Sequence, residues 1–133
     1  MESKYSESGK IERMLLTLYS VSRTIENLIE WNKDVVSAEN YYNSPGGMQL
    51  LAANCTLITA IGEGINRINR LDPTFLNTNF PDIPWIDIIG MRNRIAHGYF
   101  ELDADIVLDT VKTGIPPLQD SIQKAIELCK SDP

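Results

Sequence analysis

Histidine, cysteine and cationic side chains are scarce in this chain of 133 residues, which has one His, two Cys and 12 Lys plus Arg against 18 Asp plus Glu. One imidazole and two distant thiols supply too few ligands for a zinc site, so no metal and no cofactor is expected. Cys55 and Cys129 fall at apolar helical positions and read as reduced core residues rather than a disulfide. The net charge of −6 argues against whole-surface binding to nucleic acid, and no DNA partner is expected. No apolar run approaches the ~20 residues that span a bilayer. The opening residues lack a charged-then-apolar signal pattern, so the expected location is cytoplasmic, with no membrane partner. Strand alternation, internal repeats and low-complexity segments are missing too.

What remains is helical periodicity. With 43% hydrophobic and 23% charged residues, the composition is that of a globular domain, expected to occupy 1–133 as a single unit. Ile11, Met14, Leu15, Leu18, Val21, Ile25, Leu28 and Ile29 recur at three- and four-residue steps, predicting one amphipathic helix over about 8–33. The stretch 37–43 is open between a turn and a short helix. Ser44-Pro-Gly-Gly is a break in which Ser44 and Pro45 suit a cap and a first turn. A second long helix follows over about 46–71 on Met48, Leu51, Cys55, Ile58, Gly62, Ile65 and Ile68, ended by Asp72-Pro73. Residues 73–83 lack periodicity and read as a loop.

A third helix opens at Pro84-Trp85, with Asp87 at the positive end of its dipole, and stops near Gly98. Asp103 starts a short helix ended by Gly114, and Pro116-Pro117 opens the last one on Leu118, Ile122, Ala125, Ile126 and Cys129. Two helices of about 25 residues would each be ~37 Å long and must lie antiparallel across a short connection. The expected fold is an all-α, up-and-down bundle of about five helices. A bundle of this size has apolar surface to spare, so dimerisation is expected.

The single histidine lies in the densest run of polar chemistry, Met91-Arg-Asn-Arg-Ile-Ala-His97-Gly-Tyr99. Imidazole exchanges protons near neutrality, and guanidinium is a planar fork for phosphate or carboxylate. Together they suggest acid–base chemistry on an anionic substrate. Arg67 and Arg70 sit in the second helix, so an acidic shell surrounds a small basic region; the acidic outer surface also suits a basic protein partner. In an ideal helix, residues five apart differ by about 140° around the axis, so one regular helix cannot aim Arg92 and His97 at one atom. Either the helix breaks at His97-Gly98, or two copies of the motif meet across a two-fold axis. The second answer also supplies both a general base and a general acid, since each chain has one histidine.

Arg92-Asn-Arg-Ile-Ala-His97 resembles the arginine, four-residue spacer, histidine motif of HEPN-domain ribonucleases. The continuation to Gly98-Tyr99 is similar to the extended form of HepT-type toxins. Ile61-Gly-Glu63, Ile83-Pro-Trp85 and Gly90-Met-Arg92 match the same pattern, and the resemblance is strongest from about 48 to 117. It implies a homodimeric helical bundle acting as a metal-independent endoribonuclease on RNA, with the cleft at the dimer interface. Arg92 and His97 would be catalytic. Tyr99 would be the residue that a cognate minimal nucleotidyltransferase antitoxin modifies with adenylate. Gly64 departs from the alanine common in the family, and residues 33–47 fit only loosely.

Plainer roles stand beside these. His97 near a helix C-terminus also stabilises the dipole, and Tyr99 also suits a ring-buried, hydroxyl-exposed position. Arg94 is a surface residue or an auxiliary phosphate contact, while Trp85 and Met91 read as core. The stripe Thr56, Thr59, Glu63, Asn66, Arg67, Arg70 reads first as a solvated face. Glu63 is the exception: midway along a helix of isoleucines, it calls for an arginine from the third helix that would orient the site. The competing functional reading is a non-catalytic HEPN module that binds nucleotide or docks a nucleotidyltransferase.

Overall fold

The computed structural model of the chain describes residues 7–96 and 103–131, without the side chains of Arg94 and Ala96. Among them there is no strand; the order is α1 (Glu7–Trp31), α2 (Glu39–Tyr42), α3 (Pro45–Leu71), α4 (Phe75–Asn79), α5 (Trp85–Ala96), α6 (Ala104–Asp109), a π turn (Thr110–Gly114) and α7 (Ile115–Ser131). The all-α bundle is thus built on the periodicities the sequence displays.

α3 begins as its residues dictate. The Ser44 hydroxyl accepts from Gly47 N–H at 3.0 Å, filling one of the donors a helix start leaves open, and Pro45 costs nothing in the first turn. α3 runs antiparallel to α1: Asn54 meets Asn32 near one end, and Gly64 meets Thr17 and Val21 toward the other. A Cβ on Gly64 would overlap the Val21 methyl, so this glycine is what lets the two long helices close. α7 joins the other side of α1, where Gln123 donates to the Ser22 hydroxyl at 2.9 Å. Leu18, Ile25, Leu28, Ile65, Ile68, Ile122 and Ala125 are fully buried between these helices.

The connection between α1 and α3 is organised by buried amides. Asn32 and Asn54 exchange two hydrogen bonds at 2.8 and 2.9 Å, Tyr41 donates its hydroxyl to Asn32 Oδ1 at 2.8 Å, and the second Asn32 N–H goes to Leu28 O at 2.7 Å. Asn54 also donates to the Tyr41 oxygen at 3.0 Å. All three side chains are wholly buried. Burial pushes the Tyr41 phenol above its ordinary pKa, as it does the neighbouring Cys55 thiol.

Two expectations are corrected. The stretch 73–83 is not a plain loop: it contains α4, held by fully buried Leu76, with Asn79 donating to Phe75 O at 2.8 Å. A single apolar anchor is too short a signal for periodicity to register. At Gly114 the element ends as expected, but as a π turn and with no break in the helical backbone before the next helix. Pro116 and Pro117 lack the N–H groups that would continue α-type bonding, and Ile115 N–H instead reaches Thr110 O, five residues back. The chain therefore widens into a π turn and passes directly into α7. That turn carries Lys112 to the Asn32 carbonyl at 2.9 Å, satisfying an acceptor at the end of α1.

α3 is also long and apolar enough, by length and composition alone, to cross a bilayer. Here its buried stripe, Leu51, Ile58, Ile61, Ile65 and Ile68, packs inside the bundle.

Candidate active site

α5 is placed by its first residue. Trp85 is buried, donates its indole N–H to Phe80 O at 2.9 Å and packs edge-on to the Phe80 ring at a centroid distance of 6.4 Å. From there α5 runs back along α3. At Gly62 the two helices nearly touch: a Cβ would lie 3.1 Å from Ile88 O and 3.2 Å from Arg92 Cβ. The Gly-Glu pair thus has a geometric reason. The glycine admits the stem of Arg92, and the glutamate next to it meets the head.

Arg92 Nη1 lies 3.4 Å from Glu63 Oε2, with the arginine side chain 23% and the glutamate 55% exposed. This is the arginine from the third predicted helix that Glu63 called for. A pair so open to water is worth at most about 1 kcal/mol, so what it provides is orientation rather than stability. Asn66, one turn on, completes the hold: with its amide oxygen turned to the cations, it accepts from Arg92 Nη1 at 3.0 Å and from Arg70 Nη2 at 2.7 Å. Arg92 Nε is buried and has no hydrogen-bond partner among the described residues. No described residue accepts from Nη2, while Nε has no exposed surface, so a two-point grip of an oxyanion on the Nε–Nη2 edge requires the groups covering Nε to shift.

The α3 polar stripe therefore divides. Thr56 and Arg67 are exposed as on a solvated face, whereas Glu63, Asn66 and Arg70 converge on Arg92. Asn66 carries no charge and no motif, so sequence reasoning could place it on the stripe but not against the arginine.

His97 and Tyr99 lie outside the described residues, as does the side chain of Arg94. What precedes them is informative. The outer face of α5 carries Ile86, 77% exposed, then Gly90, whose missing Cβ would meet only open space, then exposed Asn93. Ile86, Gly90 and Asn93 follow one another at four and three residues, giving a flat, partly apolar strip that stays uncovered. On the flank of α5 away from Arg92, a hollow of about 660 Å³ between α3, α5 and α6 is floored by Ile58, Ile88, Met91 and Ile95 and bordered by Asp82, Asp87, Asp103 and Asp109. Its acidic border disfavours phosphate and leaves the arginine side as the approach for an anion. Among the described residues no group of three or more His, Cys, Asp or Glu is placed to hold a metal ion.

Comparison with known proteins places the chain in a family. Residues 47–125, from α3 into α7, match the family model described as ribonuclease HepT-like. A protein named "Putative RNase" from Methanocaldococcus jannaschii is 26% identical over 80% of this chain and 90% of its own length. A "Probable ribonuclease HepT" from Thermococcus cleftensis is 25% identical over 80% of this chain and 90% of its own. A further "Putative RNase", from Caldanaerobacter subterraneus, is 26% identical over 83% and 91% respectively. No solved structure matches significantly.

Proposed function

This chain belongs to the HepT-like family of HEPN ribonucleases, and from that premise we propose that it cleaves RNA without a metal at a composite site formed by two copies of the chain. The observation that carries the reading is the tethered Arg92. One nitrogen is fixed by Glu63 and Asn66, while buried Nε has no acceptor among the described residues, a condition that costs about 1–3 kcal/mol. An arginine held this way is preorganised for an oxyanion.

The reaction is internal transfer. One His97 takes the proton of a ribose 2′-OH as its oxygen attacks the adjacent phosphorus. The His97 of the second copy gives a proton to the departing 5′-oxygen. Arg92 stabilises the charge that builds on the non-bridging oxygens. The products are a 2′,3′-cyclic phosphate and a 5′-hydroxyl, and no metal is needed because both proton transfers are served by imidazole. The uncovered strip Ile86, Gly90, Asn93 supports the pairing of two α5 helices, which would bring both motifs to one cleft.

Within this reading the protein is the toxin of a toxin–antitoxin pair in the cytoplasm. Its antitoxin is a minimal nucleotidyltransferase that attaches adenylate to the Tyr99 hydroxyl. The added phosphate beside Arg92 competes for the same cation and repels the RNA backbone. Arg94, five residues before Tyr99 in the sequence, serves as an auxiliary phosphate contact.

The test is cleavage of RNA by the purified protein in EDTA, beside a folded His97→Ala sample. Loss of a general acid–base costs ~10²–10⁴ in rate, so the variant should show no measurable cleavage. Equal activity in both samples, or none in either, defeats the catalytic reading; the latter favours a HEPN module that binds without cutting.

A further inference from the structure

Glu63 and Asn66 suffice to hold Arg92, yet the cluster has a second cation that the tether does not need. Asn66 Oδ1 accepts from Arg70 as well as Arg92, so one neutral oxygen holds two guanidiniums side by side. Among the described residues, the half-exposed carboxylate of Glu63 is the ion-pair partner of Arg92, and Arg70 has none. Two positive charges this close repel each other even in a high-dielectric setting. In a chain of net charge −6, their placement leaves a local excess of positive charge. A cation in the last turn of α3 favours the helix dipole, but that role needs Arg70 only near the final carbonyls. Its guanidinium reaches one helical turn back to Asn66, the direction in which helical side chains lean, and there it lies beside Arg92.

We propose that Arg70 and Asn66 form a second phosphate subsite, which takes the RNA backbone phosphate neighbouring the one gripped by Arg92. The inference rests on the RNA-cleavage reading above and adds to it the direction in which the strand leaves the cleft: along the C-terminal half of α3, away from the acidic hollow beside Met91. The neutral amide is suited to this. A carboxylate at position 66 would neutralise both arginines and compete with phosphate; an amide oxygen positions them and keeps their charge.

The experiment measures how binding of a short single-stranded 2′-O-methyl RNA, which lacks the attacking hydroxyl, depends on salt. The full chain is compared with Arg70→Gln, Asn66→Asp and Arg67→Gln. Each phosphate contact on a single strand contributes about 0.7 to the slope of log K against log[salt]. Arg70→Gln should lower the slope by about that amount and Asn66→Asp by up to about twice it, since an acid there neutralises both arginines, and Arg70→Gln should raise KM for cleavable RNA more than it lowers kcat. Arg67→Gln, on the same helix but outside the cluster, should change neither. Because Arg70 is exposed, its variant is expected to keep the wild-type melting profile.

An unchanged slope in Arg70→Gln, with wild type still binding and cleaving, overturns the subsite and leaves the cleavage reading standing. An equal loss in Arg67→Gln overturns it too, because the effect is then general charge. A shift in oligomeric state at unchanged slope means that Arg70 pairs with a carboxylate of a second copy, again overturning the phosphate assignment. Failure of the wild type to bind or cleave RNA defeats the cleavage reading itself, and the subsite with it.

Discussion

Two polar clusters sit on α3, twelve residues apart, and they are built on opposite principles. At Asn54 every donor and acceptor of the Asn32 and Asn54 amides is used except one lone position, the Tyr41 hydroxyl both gives and receives, and nothing is exposed. At Asn66 charged groups dominate, water reaches the carboxylate, and a buried guanidinium N–H has no partner among the described residues. A closed network of neutral groups fixes one packing of the helices and has nothing left to offer a ligand. An open network of charged groups contributes little to stability and retains valence for a substrate. The first cluster is therefore architectural and the second functional, and substitutions in the two should separate stability from activity.

The largest expected effect is on activity. Arg92→Ala should reduce RNA cleavage by ~10²–10³, the usual cost of losing a group that stabilises transition-state charge. Its melting temperature should fall by only a few degrees, since the pair with Glu63 is worth at most about 1 kcal/mol. Arg92→Lys should not restore the rate, because an ammonium cannot be tethered through one nitrogen while offering two others. A melting loss that matches the activity loss would erase the distinction between the clusters.

Asn32→Ala is the converse. It leaves the Tyr41 O–H donor, the Asn54 Oδ1 and one Asn54 N–H without partners, while the Tyr41 oxygen still accepts from Asn54, at about 1–3 kcal/mol for each orphaned group. For a chain of this size, each kcal/mol lowers the melting point by roughly 4 °C. Cleavage per folded molecule at a temperature well below the transition should match wild type. Calorimetry and a cleavage assay on one preparation check both halves.

The unequal legibility of the two clusters has a physical basis. The boundaries of α1 and α3 and the Ser44-Pro45 start can be read because periodicity and capping are local, and Glu63 is conspicuous because a carboxylate among isoleucines demands a partner. Asn32, Tyr41 and Asn54 give no such sign. Asn54 lies on the apolar stripe between Leu51 and Ile58, which is the one available clue, but its partners come from 13 and 22 residues away through a turn that sequence cannot close. Asn66 is hidden for the same reason: its role depends on how α5 crosses α3. The π turn is equally non-local in cause, since two prolines in α7 rewrite the bonding of the residues before them.

Glycines sharpen the comparison at smaller scale. Gly64 stands where a Cβ would overlap Val21, so Gly64→Ala should destabilise by about 1–3 kcal/mol despite better helix propensity. Gly90 faces open space, so within one chain Gly90→Ala should stabilise by up to about 1 kcal/mol. If α5 pairs across a two-fold axis, the same change should instead weaken the dimer, seen as a dissociation midpoint at higher concentration in sedimentation. A Gly90→Ala protein that is both more stable and equally dimeric moves the interface elsewhere.

The smallest effect tests whether the architectural cluster is as closed as its geometry indicates. Burial raises the Tyr41 pKa above the ordinary 10.0, with the hydrogen bond from Asn54 opposing in part. The protonated phenol is therefore favoured in the folded chain. Below pH 10 both states keep the proton and the stabilisation is complete. As pH rises above 10 the unfolded chain releases its proton first, so stability falls progressively until the folded phenol also ionises. Cys55 acts with the same sign, from an ordinary value of 9.0 upward. Tyr41→Phe removes the tyrosine part alone. It should lose about 1 kcal/mol at pH 7, from the hydroxyl's two hydrogen bonds, and show a shallower decline than wild type above pH 10. Urea unfolding between pH 7 and 11 measures both. Parallel declines for the two proteins would mean that water reaches the phenol, and that the buried amide cluster is as open as the one around Arg92.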